Sequence, residues 1–282
     1  MSVKILRGNA LDKLKEIPEQ SIHTCITSPP YFNLRNYGHK DQLGLESNSE
    51  EFIQNLVNVF SEVKRVLRDD GTLWLNMGDT WDKNKQLLGV PWRTALALQK
   101  DGWILRSDII WNKPAVMPSS VRDRVTNCHE YIFLLSKNKK YYYDNERIKE
   151  DSTFKNSKGE FRPNGMSGIG KKNKGKDGFD IRSGLSNMKE QPKRNKRSVW
   201  TVTTKPFREA HFATFPLDLI EPCVLAGCPE EGTVLDPFAG SGTTALVAQK
   251  HNRNAVLVEL NEEYIKIAKK RIGMFDCCNT II

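Results

Sequence analysis

The sequence has no run of roughly 18 apolar residues, the length a helix needs to cross a lipid core, so no membrane-spanning helix is expected. Its N-terminal stretch, MSVKILRGNALDKLKEIPEQ, lacks the apolar core and small-residue cleavage site of a signal peptide. Both absences predict a protein of the cell interior, in the cytoplasm. Cysteine is sparse: the six (Cys25, Cys128, Cys223, Cys228, Cys277, Cys278) form no CxxC pair, and the five histidines do not cluster at ligand spacing. A zinc site and a disulfide framework are therefore not expected, and the thiols are read as reduced, with no metal. Two nucleotide fingerprints are missing as well. There is no Gly-Lys-Ser/Thr of a P-loop and no GxGxxG of a dinucleotide-binding turn.

What is present begins with charge. The 282 residues carry a net charge of +9, and 38% are hydrophobic, enough for a large core in one or two domains. Between Asp151 and Trp200 stand thirteen Lys and Arg against five Asp and Glu, so almost all of the excess lies in that segment. The same segment holds seven of the nineteen glycines and sustains neither a helical nor a strand period. It reads as an inserted basic arm. Such an arm is either a solvated linker or a surface for phosphates, and charge alone leaves both open.

On both sides of the arm, apolar runs alternate with amphipathic stretches. HTCIT and GTLWLNMGD predict buried strands. SEEFIQNLVNVFSEVKRVLRDDG predicts a helix capped by Ser49, with apolar positions at Phe52, Ile53, Leu56, Val59, Phe60, Val63 and Leu67, and a stop at Gly71. A second helix is expected from Pro91 to Lys100, followed by strand GWILRSDIIWNKP. EYIFLLSKNKKYYYD predicts a hairpin turning at Lys137 to Lys140. Downstream come strand GTVLDPF, helix Thr243 to Lys250, strand NAVLVEL and helix NEEYIKIAKKRIG. The alternation predicts an α/β fold with one doubly wound, mostly parallel sheet, interrupted by the basic segment. The expected boundaries are 1–150, 151–200 and 201–282.

Ligands of such sheets collect at the carboxyl ends of the strands. TVLDPFAGSGTT is a strand ending in Asp236, a loop with Gly240 and Gly242, and a helix opening at Thr243 or Thr244. Glycines allow close backbone approach, and a helix N-terminus favours an anion. About twenty residues on, VLVEL ends in Glu259, where an acid suits ribose hydroxyls. The pair suggests a nucleoside-bearing cofactor without a required polyphosphate. Tight packing alone is the competing reading.

TSPPY (residues 27–31) together with DPFAGSGTT (236–244) resembles the amino-methyltransferases that modify exocyclic amines of DNA bases with S-adenosylmethionine. Their order, catalytic motif first with the variable basic segment between, resembles the β class of that family. The resemblance covers nearly the whole chain and implies a Rossmann-like methyltransferase fold. GNALDKL resembles the segment that contacts the cofactor's adenine and brings in Asn9 and Asp12. HFATFPLDL resembles the segment over its methionine end and brings in Phe215. The implied cofactor set is completed by Asp236, Pro237, Phe238, Gly240, Gly242, Thr243, Thr244 and Glu259.

By the same resemblance Ser28, Pro29, Pro30 and Tyr31 are catalytic. The lone pair of a base amine is delocalised into the ring, and a hydroxyl at Ser28 with the carbonyl of Pro29 can accept its two N–H groups and localise it. Two prolines aim that carbonyl beforehand, and the Tyr31 ring offers a face for a flipped base. Methylation of cytosine carbon 5 needs a cysteine after a proline, and the only Pro-Cys, Pro222-Cys223, lies in an expected helix elsewhere. In the family, Ser at the first motif position goes more often with cytosine N4 and Asp with adenine N6, so N4 is expected and N6 is the alternative. A protein or RNA amine acceptor and a catalytically dead DNA-binding protein are the remoter readings.

The expected partner is double-stranded DNA. The basic segment becomes the candidate for target recognition, with Lys193, Arg194, Lys196 and Arg197, while Arg35 and Tyr37 could face DNA from the loop after the proline turn. Ser and Arg of MPSSVRDR offer themselves to phosphates on the same terms. Trp111 either lines the base pocket or is an ordinary buried strand residue. A homodimer and a cognate restriction endonuclease acting on the same site are compatible with the resemblance, but the sequence marks neither.

Overall fold

The computed structural model describes residues 1–34, 39, 42–151, 193–204 and 215–273. It divides into two compact units, Met1–Asp144 with Arg197–Ile282, and Asn145–Lys196. In the first unit the chain runs β1 (Val3–Arg7), α1 (Ala10–Lys15), β2 (Ile22–Thr27), α2 (Ser49–Val66), β3 (Leu67–Met77), α3 (Val90–Lys100), β4 (Ile104–Asn112) and β5 (His129–Ser136). The second unit contributes two short strands, β6 (Glu150–Asp151) and β7 (Lys193–Arg194). The first unit resumes with β8 (Val199–Thr201), α4 (Leu217–Gly227), β9 (Thr233–Asp236), α5 (Thr243–Lys250), β10 (Asn254–Glu259) and α6 (Glu262–Arg271).

Eight strands form one sheet in the order β1-β10-β9-β2-β3-β5-β4-β8. The pairs from β1 through β3 are parallel, β5 is antiparallel to both β3 and β4, and β4 pairs parallel with β8. This is the expected mostly parallel α/β sheet. Its central strands read as apolar runs because both faces are covered: in β3 every residue from Thr72 to Met77 is buried, Asn76 included. Against one face lies α2, whose buried stripe Phe52, Ile53, Leu56, Val59, Phe60, Val63 and Val66 recurs at three- and four-residue spacing.

Three sequence expectations fail locally. The cap of α2 is Asn48, whose side chain accepts from the N–H of Glu51 at 2.9 Å, and Ser49 is the first helical residue. Asn and Ser cap almost equally well, so neighbouring candidates are not separable by type. Gly71 does not stop the helix: α2 ends at Val66, Leu67 is already extended, and Gly71 lies inside β3. No hairpin follows β5. Both of its edges are taken, by β3 and β4, so a returning strand has nowhere to pair; Asn138 and Tyr142 instead donate to the carbonyls of Asp69 and Asp70.

In the second unit β6 and β7 pair antiparallel, Glu150 opposite Arg194, with an ion pair of 2.9 Å between them. Among the described residues Cys25, Cys223 and Cys228 are buried free thiols, and no helix is long and apolar enough to cross a membrane.

Candidate active site

The two motifs, more than two hundred residues apart in sequence, leave adjacent parallel strands at the same end. Thr24 and Cys25 of β2 lie opposite Val234 and Leu235 of β9, so Thr27 and Asp236 end side by side. Thr27 Oγ1 donates to Asp236 Oδ1 at 2.6 Å, and Thr244 Oγ1, in the first turn of α5, donates to Oδ2 at 2.6 Å. The N–H of Phe238 adds a bond of 3.1 Å to Oδ1. One carboxylate thus joins the proline turn, the Gly-rich loop and the start of α5. Pro237 is buried beside it.

Burial drives the Asp236 carboxyl up from 3.8 to about 6, against the three hydrogen bonds from Thr244, Thr27 and Phe238 that favour the ionised form. The fold therefore prefers the protonated state. The contribution of Asp236 to stability is full below pH 3.8 and lost as pH rises through about 6. Asp236→Asn keeps the shape without the charge. In the unliganded protein it is expected to gain about 1–3 kcal/mol over the wild type at pH 8, with the gain shrinking below pH 5. Denaturant melts at pH 8 and pH 4.5 measure this; an equal difference at both values would mean the charge is not the cause.

The loop after Asp236 needs its glycines. Gly242 caps α5 at φ 78°, and a Cβ there would stand 2.9 Å from Cβ of Ala268 on α6. Gly240 also has positive φ, 50°, but its side-chain position faces open space with nothing within 4 Å. That opening admits a ligand against bare backbone. Glu259, at the end of β10, holds the loop from behind: Oε2 accepts the N–H of Gly240 at 2.7 Å and Oε1 that of Asn261 at 2.8 Å. Burial raises its carboxyl above the usual range. Each oxygen keeps lone-pair capacity for a further donor, as ribose hydroxyls would be. Its carbonyl accepts from Gly8 at 3.1 Å, which brings the start of α1 to the same strand end. These groups fit a nucleoside: an acid for hydroxyls and bare backbone for close approach.

The proline turn starts one residue after Thr27. Ser28 and Tyr31 lie half-buried, and Pro29 is buried. Tyr31 Oη donates to Glu130 Oε2 at 2.6 Å, and Ser28 Oγ approaches Tyr31 Oη at 3.4 Å. Asn76 Nδ2, from β3, reaches Tyr31 Oη at 3.0 Å, Glu130 Oε2 at 2.9 Å and Ser28 Oγ at 3.3 Å. Lys113 pairs with the other oxygen, Glu130 Oε1, and its ammonium sits 4.2 Å from the Trp111 ring centroid. The Tyr31 ring is packed on Gly78, where any Cβ would come within 2.7 Å of Cε2.

The family model for DNA methylases, the N6/N4 methyltransferases, matches residues 22–270. The chain belongs to this family. Among curated relatives of the methylase, the Type II methyltransferase M.Cfr9I of Citrobacter freundii is 43% identical, covering 95% of this chain and 87% of its own. The Type II methyltransferase M.SmaI of Serratia marcescens is 44% identical over 96% of this chain and 91% of its own. Of solved structures, PvuII DNA methyltransferase, described as cytosine-N4-specific, superposes with a TM-score of 0.70 at 19% identity, covering 100% of this chain and 89% of that one; at this identity the likeness is one of fold. A Thermus thermophilus protein solved in complex with S-adenosyl-L-methionine gives a TM-score of 0.62 at 25% identity, covering 97% of this chain and 95% of that one.

The methylase brings most of the anticipated catalytic and cofactor residues together. Asp236, Phe238, Gly240, Gly242, Thr244 and Glu259 gather at the neighbouring ends of β9 and β10, with Ser28 to Tyr31 leaving β2 beside β9. Others have contacts of their own. The Asn9 side chain caps α1 by accepting from Leu11 at 2.9 Å, and Asp12 is exposed, 3.6 Å from Lys15. Thr243 Oγ1 accepts from Arg271 of α6 at 3.2 Å, a packing contact. Phe215 stands just before Pro216, which opens α4, and residues 205–214 ahead of it lie outside the described residues. Arg35, Tyr37 and residues 152–192 of the basic segment also lie outside them. Lys193 and Arg194 form β7, Lys196 closes the second unit, and Arg197 is exposed in the first, its carbonyl accepting from Trp200 Nε1 at 2.6 Å. Trp111 is a buried strand residue whose Nε1 is spent on the Val202 carbonyl at 2.8 Å. In MPSSVRDR, Arg124 lies 3.7 Å over Trp81 and Asp123 pairs with Lys85 at 2.9 Å.

Asn76, Lys113 and Glu130 were missed. Asn76 is a polar residue inside the apolar run LWLNM, a signal that a buried network exists but not where. Glu130 is the second residue of β5, and only the antiparallel pairing of β5 with β3, Met77 opposite Tyr131, carries it to the carboxyl ends of the parallel strands.

Proposed function

We propose that the methylase transfers the methyl group of S-adenosylmethionine to the exocyclic N4 amine of cytosine in double-stranded DNA. The reading is carried by one observation: the acceptor at the head of the proline turn is a hydroxyl, Ser28, whose strand end is tied through Thr27 and Asp236 to the Gly-rich loop. S-adenosylmethionine supplies an electrophilic methyl group on a sulfonium. Glu259 takes ribose hydroxyls, the bare backbone at Gly240 lets the nucleoside close in, and Ser28 Oγ with the Pro29 carbonyl accepts the two amine hydrogens. Accepting both favours a pyramidal nitrogen with its lone pair available. A flipped base is needed because the amine is otherwise paired inside the duplex.

Adenine N6 is the second reading, since a hydroxyl accepts from either amine. The basic segment around residues 151–200, with Lys193, Arg194, Lys196 and Arg197 at its end, is proposed to contact DNA phosphates, as clustered cations on one segment favour counterion release. The test is to incubate the purified protein with S-adenosylmethionine and DNA of mixed sequence, digest to nucleosides and identify the product by mass. N4-methylcytosine is expected. N6-methyladenine would keep the machinery and overturn the base assignment, and no methylated nucleoside would overturn the acceptor.

A further inference from the structure

Methylating a neutral amine leaves the nitrogen with one proton too many, and a serine hydroxyl has no capacity to keep it. The transfer forms an N–C bond, breaks the bond from that methyl carbon to sulfur, and must release one proton from nitrogen. The directions of the hydrogen bonds around Ser28 offer a destination. An ionised carboxylate only accepts, so Tyr31 must donate to Glu130 Oε2, across 2.6 Å. Asn76 Nδ2 only donates, and the reverse amide orientation would set Oδ1 against the carboxylate at 2.9 Å, so charge holds Nδ2 inward although Oδ1 is then buried without a partner among the described residues. Tyr31 Oη therefore receives, from Asn76 at 3.0 Å and from the Ser28 hydroxyl at 3.4 Å. The two protons of Asn76 Nδ2 go to its shorter contacts, Glu130 and Tyr31, so Ser28 donates to Tyr31 and keeps lone-pair capacity for the substrate amine. Every proton in the chain points from Ser28 toward Glu130.

We propose that Glu130 is the terminal proton acceptor of the methyl transfer, reached from the amine through the Ser28 and Tyr31 hydroxyls. The amine proton passes to Ser28 Oγ as the Ser28 proton passes to Tyr31 Oη and the Tyr31 proton to Glu130 Oε2. Both hydroxyls end neutral and the carboxylate becomes a carboxylic acid. No further reactant is needed, and an ammonium nitrogen attached to an aromatic ring is acidic enough for a carboxylate to accept from it. Lys113 occupies Oε1 and is itself fixed over Trp111, so Oε2 stays turned to Tyr31. The side chain of Glu130 is 14% exposed, enough to return the proton to solvent between turnovers. The Ser28–Tyr31 distance is long, as catalytic hydrogen bonds commonly are before substrate closes the site.

The proposal rests on the reading of Ser28 as the amine acceptor, and the experiment separates the two. Single-turnover methylation of DNA is measured for Glu130→Ala, Glu130→Gln, Tyr31→Phe and Ser28→Ala, beside calorimetric binding of S-adenosylmethionine and DNA-binding anisotropy. Both Glu130 variants are expected to be slowed about 10²-fold, with both affinities within about twofold of the wild type. Added formate restores Glu130→Ala at least about tenfold, whereas formamide, of the same shape but not a base, does not. Tyr31→Phe is slowed as much, formate fails to restore it, and Tyr31→Phe combined with Glu130→Gln is no slower than either alone. A full rate in Glu130→Gln, or equal rescue by formamide, overturns the relay. A full rate in Ser28→Ala would instead overturn the reading of the turn on which the relay depends.

Discussion

Ser28→Ala is expected to slow methyl transfer by about 10²–10³-fold while leaving the affinity for S-adenosylmethionine unchanged. The magnitude is that of deleting one preorganised polar partner from a reacting centre. The separation from cofactor binding follows from the architecture. The Gly-rich loop is fastened to the turn by Thr27 and not by Ser28, through the 2.6 Å bond to Asp236. Truncating Ser28 removes an acceptor without loosening that tie. It also removes the donor to Tyr31, but the two protons of Asn76 Nδ2 keep Tyr31 and Glu130 as acceptors at 3.0 and 2.9 Å, so the network persists. The check is single-turnover rate against calorimetric affinity. If affinity falls in parallel with rate, Ser28 supports the cofactor site and is no amine acceptor.

The strands and helices that frame the site were legible because their burial has a period. The stripe of α2, the apolar run of β3 and the DPFAGSGTT turn each carry their own evidence, and the order of motifs placed both candidate turns at strand ends. What was not legible is set by pairing between distant segments. That β5 runs antiparallel between β3 and β4 cannot be read from EYIFLLS, and two consequences were lost with it: the hairpin that has no free edge, and Glu130 delivered to the site. Individual roles blurred for a related reason. Motif position does not announce local contacts: Asn9 accepts from the N–H of Leu11, and Thr243 accepts from Arg271. Asp236 and Glu259 end β9 and β10, which are neighbours in the sheet, so pairing brings the two carboxylates to the same end of it.

Glu259 carries the second large effect. Glu259→Ala is expected to weaken S-adenosylmethionine binding by about 10²-fold or more, with the rate at saturating cofactor much less affected. Two losses combine. The carboxylate no longer accepts ribose hydroxyls, and the N–H groups of Gly240 and Asn261 lose their acceptor in a partly buried place, where each charge-assisted bond contributes about 1.5–3 kcal/mol. Glu259→Gln divides these contributions. A glutamine has one accepting oxygen, so its amide group must face either Gly240 or Asn261, donor against donor, and the loop is disturbed although size and most packing are kept. The loss for Gln should therefore approach that for Ala. A pure ribose contact predicts otherwise, because an amide can still pair with hydroxyls and would keep most of the affinity. Calorimetric titration of the three proteins distinguishes the cases: near-equal losses mean that Glu259 works by holding the Gly-rich loop in its bound shape as well as by meeting the ligand, and a mild effect of Gln would confine it to the ribose.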